Sequence, residues 1–447
     1  MTISGPLVRS TVVAALGGLL FGFDTAVIAG TTAGLTATYE LSPARLGMTV
    51  AIALVGTILG SSLAGVPGDR YGRRDSLRGM AILYLISAVG CAFAWNWYAL
   101  VFFRFIGGLG IGGSSVLGPM YIAEIAPASW RGRLVGVFQF NIVTGILLAY
   151  FSNYVIGRIF AQSGALMGED WRWMLGVSGI PALLFFAMLF TIPRSPRWLM
   201  TKGREAEARQ VLEFIGERNI DAEMEDIRQS IHLDQGSAAE RLFRHKYRFP
   251  IFLAVSIAMF NQLSGINAIL YYLNDIFARA GFSKVSGDLQ AVLIGFTNLV
   301  FTVFAMSIID RVGRKTLLLS GAVGMTICLS GVATIFLTNS HENYLVWLLV
   351  GYIASFAFSQ GAVIWVFISE VFPTRVRAKG QSLGTFTHWA MNALISWTFP
   401  VLATRSRGAP FVFFAAMMLL QFIVVAIAYP ETKGVTLENM EKRLRLA

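Results

Sequence analysis

The chain has 447 residues, of which 55% are hydrophobic and 14% charged, and its mean hydropathy is +0.63. A soluble domain is typically about a quarter charged, so this chain lacks the polar residues to cover a globular surface, and a soluble enzyme is excluded. The apolar residues fall in separate runs of about 20, the length that crosses a bilayer as a helix. The sequence therefore predicts an all-α, multi-pass membrane protein.

Apolar runs between charged segments predict twelve spans, in two sets of six separated by a polar linker. The first set covers 10–33, 47–67, 77–95, 98–121, 134–157 and 172–192. The second set covers 249–278, 289–309, 316–337, 344–369, 381–403 and 410–429. The predicted domains are an N-terminal half (1–192), a helical linker (193–248), a C-terminal half (249–430) and a short tail (431–447).

The net charge of +11 would indicate nucleic-acid binding in a soluble protein. In a membrane protein it is explained by basic residues gathered on the cytoplasmic side, so no nucleic-acid partner is predicted. With both termini and the linker inside, 28 of the 36 Lys and Arg residues lie on that side, and we predict this orientation. The chain has no Asn-x-Ser/Thr sequon, which favours a bacterial inner membrane.

Two motifs recur in the two halves at nearly the same offset. The first is Asp69-Arg70-Tyr71-Gly72-Arg73-Arg74, which recurs as Asp310-Arg311-Val312-Gly313-Arg314-Lys315. The second is Glu124, Pro127, Arg131 and Arg133, which recurs as Glu370, Pro373, Arg377 and Lys379. Duplicated six-span halves are typical of transporters, with a substrate site between the halves.

Several motifs, in order along nearly the whole chain, resemble the sugar porter family of the major facilitator superfamily. They are Gly22-Phe23-Asp24, Gly65-xxx-Asp69-Arg70-x-Gly72-Arg73-Arg74, the glycine-rich run from Arg104, Gln262-Leu-Ser-Gly-Ile-Asn267 with Tyr271-Tyr272, and Pro430-Glu431-Thr432-Lys433-Gly434. The resemblance implies the twelve-helix major facilitator fold, sugar transport by alternating access, and a monomer without cofactor or metal.

Asp24 and Arg104 are the ionisable residues that lie deepest in the predicted spans. An unpaired charge at the bilayer centre costs several kcal/mol, so each needs a partner or a function. A carboxylate that pairs with an arginine in only one conformation can couple protons; a permanent ion pair explains the same two residues. The resemblance favours proton coupling, because proton-coupled sugar porters have Asp at this position whereas facilitative animal relatives commonly have a neutral residue.

A sugar needs amide side chains, which both donate and accept hydrogen bonds, and an aromatic surface for stacking. The polar and aromatic candidates within the spans are Gln139, Asn261, Gln262, Asn267, Asn298, Trp365, His388, Trp389 and Asn392. Most of them match sugar-contacting positions of the family.

Gln262 and Asn267 would point about 140° apart on an ideal helix. Gly265 between them permits local unwinding, so we expect an irregular helix with both amides on one side. Tyr271 and Tyr272 then follow as candidate outer gates. The alternative is an unbroken helix in which Gln262 packs against a neighbour.

The repeated loop motifs combine basic residues with acids at helix ends, which predicts a cytoplasmic charge network that differs between conformations. Its members are Asp69, Arg73, Arg74, Glu124, Arg131, Arg133, Asp310, Arg314, Lys315, Glu370, Arg377 and Lys379. We expect Glu124 near Arg131 and Arg133, and Glu370 near Arg377 and Lys379.

Four positions depart from the family pattern. Asn261 replaces the first of two glutamines, Ala362 replaces the hinge proline after Gly361, His388 replaces an amide, and Arg194 replaces a glutamate at the start of the linker. These changes leave the sugar undefined. The leading function is a proton-coupled monosaccharide symporter, for a hexose or a pentose. The alternatives are a facilitative uniporter and a membrane sensor that binds sugar without moving it.

Overall fold

The computed structural model of the protein describes residues 4–127, 130–163, 169–217, 219–236, 241–373, 375–435, 440 and 444. These residues are mostly α-helical, and none of them forms a β-strand. The α-helices are, in chain order, α1 (Gly5–Val27), α2 (Thr32–Tyr39), α3 (Pro43–Leu63), α4 (Gly65–Tyr71), α5 (Arg73–Ala92), α6 (Trp97–Ile125), α7 (Arg131–Ser163), α8 (Asp170–Gly176), α9 (Gly179–Met188), α10 (Pro196–Thr201), α11 (Glu205–Ile215), α12 (Ile220–Gly236), α13 (Arg248–Leu263), α14 (Ile266–Tyr271), α15 (Leu273–Arg279), α16 (Lys284–Val312), α17 (Arg314–Thr338), α18 (Leu345–Phe358), α19 (Gln360–Glu370), α20 (Arg377–Arg405) and α21 (Ala409–Ala428).

Eleven segments of the described chain are long and apolar enough to cross a membrane. They are Gly5–Gly30, Pro43–Leu63, Arg73–Ala92, Trp97–Ile125, Arg131–Gln162, Asp170–Met188, His245–Tyr271, Ser286–Ile309, Arg314–Thr338, Glu342–Glu370 and Ala409–Ala428. They match every predicted span except 381–403, which forms the 29-residue helix α20. That helix is more polar than the others, because it carries His388, Asn392 and several hydroxyl side chains.

Three of the candidate spans contain a break between two α-helices. The first break separates α8 from α9 at Val177 and Ser178. The second separates α13 from α14 at Gly265, and the third separates α18 from α19 at Ser359, which has φ −114° and ψ −93°. The third break lies two residues before Gly361. The span is therefore broken next to Gly361, although position 362 holds alanine and not the proline of the family pattern.

The chain divides into two compact units. Unit 1 comprises Met1–Val27, Ile52–Ser152 and Glu169–Ala238, and unit 2 comprises Ile28–Ala51, Asn153–Gly168 and Ala239–Ala447. The core of unit 1 includes the buried side chains of Leu77, Leu117, Tyr121 and Phe185. The core of unit 2 includes Leu253, Leu318, Phe367 and Tyr429, and the rings of the last two stack at 5.0 Å.

The linker helices α10 to α12 pack within unit 1. The Ser195 side chain caps α10 by accepting a hydrogen bond from the Trp198 backbone N–H at 3.2 Å. The indole Nε1 of Trp198 donates to the Asp69 carbonyl oxygen at 3.0 Å. The start of the linker is therefore hydrogen-bonded to the first repeated motif, through Trp198 and Asp69.

Candidate functional site

Asp24 on α1 and Arg104 on α6 form an ion pair inside unit 1. Arg104 Nη1 lies 3.5 Å from Asp24 Oδ1, and the exposed fractions of the two side chains are 4% and 23%. The arginine is therefore buried while part of the carboxylate stays accessible. The pairing expected from the sequence is present, and its role in proton coupling stays a prediction.

Close helix packing positions this pair. A Cβ atom at Gly22, two residues before Asp24, would lie 1.8 Å from the Ile142 carbonyl oxygen of α7. One at Gly108, four residues after Arg104, would lie 2.0 Å from the Ala53 carbonyl oxygen of α3. The glycines of both family-like motifs thus allow backbones to meet where any side chain would separate them.

The break in α13 to α14 brings two amides together, as the sequence predicted. Gly265 has φ +83°, and a Cβ atom there would lie 2.4 Å from the Phe414 ring, so both backbone conformation and space favour glycine. Across the break, Asn267 Nδ2 donates to Gln262 Oε1 at 3.1 Å. The unbroken-helix alternative is therefore wrong.

Gln262 is the centre of a buried polar cluster in unit 2. Its Nε2 donates to Asn261 Oδ1 at 3.1 Å and lies 3.2 Å from His388 Nε2 of α20. Gln262, Asn261 and His388 are 1%, 2% and 8% exposed. Each polar group of the Gln262 side chain thus has a neighbour within the protein.

Aromatic rings enclose His388. The ring centroid of Trp365 lies 5.0 Å away and that of Trp389 lies 4.9 Å away, the latter edge to face. Trp365 is 38% exposed although it lies in the span that contains α19. A partly exposed indole beside buried amides offers the combination of stacking surface and hydrogen-bonding groups that a sugar ring requires.

The predicted gate tyrosines both contact α20. Asn392 Nδ2 donates to the Tyr271 hydroxyl at 3.3 Å, and the Tyr272 hydroxyl donates to the Ser396 carbonyl oxygen at 2.9 Å. The Tyr272 ring also stacks on Phe399 at 5.3 Å. Both tyrosines are buried, so they join α14 to α20, and their gating role stays a prediction.

Two further sugar-binding candidates belong to other helices. Asn298 is buried on α16, and no hydrogen bond among the described residues joins it to Gln262 or its neighbours. Gln139 is half-buried on α7 and belongs to unit 1.

The repeated loop motifs form the same ion pair in each unit. Arg73 Nε bonds to Glu124 Oε1 at 3.0 Å in unit 1, and Arg314 Nη2 bonds to Glu370 Oε1 at 2.9 Å in unit 2. Each arginine also donates to the backbone five residues earlier, at Gly68 and Ile309. The glycines that precede the two arginines have φ +91° and +101°. The sequence repeat is therefore also a repeat of conformation and bonding.

The acids differ from our expectation in their partners. Glu124 and Glu370 pair with Arg73 and Arg314 of the first motif. Arg131 and Arg133 are exposed at the start of α7, Arg377 Nε donates to the Phe372 carbonyl oxygen at 3.5 Å, and Lys379 is exposed on α20. The acids and arginines that pair come from different loops, so their spacing in the chain did not indicate these contacts.

Three further members of the network bond to other groups. Asp69 bonds to Arg73 at 2.9 Å, Arg74 bonds to Asp75 at 3.1 Å, and Lys315 Nζ donates to the Ala426 carbonyl oxygen at 2.9 Å. The predicted counterpart of Asp69 is Asp310, whose side chain lies outside the described residues.

Sequence reasoning missed two acids of this region. Asp75 accepts hydrogen bonds from Arg74, Arg78 and Arg194. Glu431 accepts from the backbone N–H groups of Arg314 and Lys315, at 2.9 and 3.1 Å, and so caps α17. Glu431 lies in a motif that we had singled out. Asp75 has no counterpart in the second repeat, where Thr316 stands, so the repeat did not reveal it.

Comparisons with known proteins agree with these features. A family model described as "Sugar (and other) transporter" matches residues 10–444. A D-xylose-proton symporter of Escherichia coli (strain K12) is 38% identical, covering 96% of this chain and 94% of that protein. An arabinose-proton symporter of Bacillus subtilis (strain 168) is 36% identical over 96% and 93%, and a glucose transport protein of a Synechocystis strain is 35% identical over 96% and 95%.

Solved structures give the same result. The inward open conformation of the E. coli xylose transporter XylE matches with a TM-score of 0.86 and 38% identity, covering 97% of this chain and 98% of that one. A proton:xylose symporter structure bound to 6-bromo-6-deoxy-D-glucose matches with a TM-score of 0.81 and 37% identity, covering 99% and 100%. The match to the family model extends over both units and every candidate site residue. The chain therefore belongs to the sugar porter family of the major facilitator superfamily, a family of membrane transporters and not of enzymes.

Proposed function

We propose that this chain is a proton-coupled monosaccharide symporter that works by alternating access. The observation that carries the proposal is the pairing of Asp24 with Arg104 inside membrane-spanning helices. Acidic side chains within membrane spans form proton relays in transporters, and Asp24 is the partly exposed member of this pair. The relatives named as sugar-proton symporters support the same function.

The sugar contacts the amide and aromatic cluster of unit 2 in this proposal. The members are Asn261, Gln262, Asn267, Trp365, His388, Trp389 and Asn392, with Gln139 and Asn298 as further contacts and Tyr271 and Tyr272 as outer gates. Amides that already bond to each other can rotate to exchange those bonds for sugar hydroxyls. Pentoses and hexoses both fit this chemistry, and the relatives' names favour xylose, arabinose and glucose as the first candidates.

The duplicated pairs of Arg73 with Glu124 and Arg314 with Glu370 act as a latch in this proposal. The side chains of both pairs are largely buried, and the network acts as a set that is made in one conformation and released in another. We place this network, both termini and the linker 193–248 in the cytoplasm. The linker connects the six-span halves 1–192 and 249–430. The protein is then a monomer of a bacterial inner membrane, solvated by its lipids.

The alternative is a facilitative uniporter in which Asp24 and Arg104 remain paired throughout the cycle. Their contact at 3.5 Å is compatible with it. A non-transporting sugar sensor is the second alternative, and only flux measurements separate it from a transporter.

The test is uptake of labelled xylose, arabinose, glucose and galactose into liposomes that contain the purified full-length protein. We expect one sugar to accumulate only when protons flow inward. For one proton per sugar, a gradient of one pH unit supports about tenfold accumulation. Asp24→Asn should abolish accumulation while retaining exchange of labelled for unlabelled sugar.

The matched control is Asp170→Asn, which removes another buried carboxylate of unit 1. Asparagine can keep the bond that Asp170 accepts from the Trp171 backbone N–H, so accumulation should continue. Equilibration that ignores the gradient would establish a uniporter, and binding without flux of any of the four sugars would favour the sensor.

A further inference from the structure

A basic surface at the start of α13 in unit 2 contains none of the candidate sugar-binding or proton-coupling residues. It surrounds a cavity of about 510 Å³, which we call the α13 basic site. The lining residues are Phe243, Arg244, His245, Arg248, Ile251, Phe252 and Val255.

The charge at the α13 basic site is one-sided. Arg244 and Arg248 are exposed, Arg241 and Lys246 next to them are exposed as well, and the imidazole of His245 is exposed between these basic side chains. Among the described residues that line the cavity, none carries a carboxylate. Such a concentration of cationic side chains attracts an anion, and guanidinium groups favour phosphate because they can bond to two of its oxygens at once.

The local geometry adds to this preference. Arg248 Nη1 donates to His245 Nε2 at 3.0 Å, which holds the guanidinium beside the imidazole and leaves the second ring nitrogen as a donor. The backbone adds no donors here, because the Tyr247 N–H bonds to the Arg244 carbonyl oxygen at 3.0 Å, the Arg248 N–H bonds to the His245 carbonyl oxygen, and Pro250 has no N–H. The preference for an anion therefore comes from the side chains.

The other side of the cavity is apolar. Phe243 is 80% exposed and Phe252 is 45% exposed, and the Phe252 ring stacks on Phe249 at 6.3 Å. The candidate span begins at His245, so the cationic groups lie at its polar end. Ile251, Phe252 and Val255 lie one to two turns further into the apolar segment. The anion-binding groups and the apolar wall are thus stacked in the order of a lipid head group and its chains.

We propose that the α13 basic site binds an anionic phospholipid, whose phosphate contacts Arg244, His245 and Arg248 and whose acyl chain lies against Ile251, Phe252 and Val255. A soluble phosphate would satisfy the cationic groups but would leave the apolar wall uncovered. The combination favours the lipid as the occupant. This inference does not depend on which solute the protein transports.

The test is native mass spectrometry of the full-length protein in detergent, titrated with phosphatidylglycerol or with phosphatidylcholine of the same acyl chains. We expect phosphatidylglycerol to bind more tightly. Arg244→Gln with Arg248→Gln should weaken its binding about 10- to 30-fold, because each basic residue at a lipid surface contributes appreciably to anionic lipid binding. Phe252→Ser should weaken both lipids, and inorganic phosphate should displace neither.

The matched control is Arg158→Gln with Arg405→Gln, which removes two exposed charges from other parts of unit 2. It should leave the preference for phosphatidylglycerol unchanged. Equal binding of the two lipids, an equal loss in the control variant, or displacement by inorganic phosphate would each overturn the proposal. Thermal unfolding of each variant without added lipid separates a folding defect from a lost site.

Discussion

Arg194 Nη2 lies 3.0 Å from Asp75 Oδ2, so the first linker residue after Pro193 is paired with the first turn of α5. The family resemblance implies a glutamate at this position. In this chain Asp75 lies near the amino end of α5, where negative charge is favourable, and it gives Arg194 an acidic partner. The residue that departs from the family pattern is therefore held by an ionic contact.

Replacing Arg194 should show how much its contact with Asp75 contributes to stability. We expect Arg194→Glu to lower the thermal stability of the detergent-solubilised protein more than Arg194→Gln, because the new carboxylate would face Asp75. Both side chains are partly exposed, at 32% and 22%, so the effect of losing the pair should be about 1 kcal/mol or less. Adding Asp75→Asn to Arg194→Glu should recover part of the loss. No recovery would show that the two charges act independently.

Gly265→Ala should disrupt the amide cluster. A left-handed conformation costs about 1–2 kcal/mol for alanine, and its Cβ atom would lie 2.4 Å from the Phe414 ring. We expect a lower melting temperature and weaker sugar binding by calorimetry. Gly79→Ala is the control, since a Cβ atom there meets nothing within 4 Å and alanine favours a helix. Equal effects of the two substitutions would contradict this explanation.

Glu431→Ala should destabilise unit 2 through α17. The Glu431 carboxylate accepts backbone bonds from Arg314 and Lys315 at the start of that helix and from Thr432 and Lys433 beside it. Loss of a cap costs about 0.5–2 kcal/mol, measurable as a lower unfolding temperature. Glu213→Ala, on the exposed face of α11, removes a carboxylate without a cap and should have little effect.

His388 should act on sugar binding through Gln262. In His388→Phe, Gln262 Nε2 keeps its bond to Asn261 but loses the imidazole as a second neighbour, so the amide is held less firmly in the position from which it would bond to a sugar hydroxyl. We expect roughly tenfold weaker sugar binding by calorimetry. His388→Gln restores an acceptor and should bind better than His388→Phe. His341→Asn, in an exposed turn, is the control. Equal affinity of wild type and His388→Phe would exclude this role.

The fold followed from the sequence because its main signals are local. Hydrophobic length predicted the spans, and only α20 is too polar to count among the eleven, since it carries the polar groups of the site. The break at Gly265 was also local, because one glycine lies between two amides that an intact helix would separate. The family resemblance then supplied the sugar, which no feature of composition indicated.

The contacts between distant segments could not be predicted in the same way. The repeat identified Arg73 and Glu124 but not their pairing, which joins residues 51 positions apart. Asp75 was missed because it is not repeated. Spacing shows which side chains share a helix face, whereas partners on different helices depend on how those helices pack.

The bonding of Gln262 has a consequence for how a solute can bind. Its amide bonds to Asn261 and Asn267 and lies beside His388, so its polar groups already have partners within the protein. Burying a polar group without a partner costs free energy, and a solute must therefore replace each bond that it breaks. A solute consequently binds by substitution, and only one that returns every displaced hydrogen bond gains affinity.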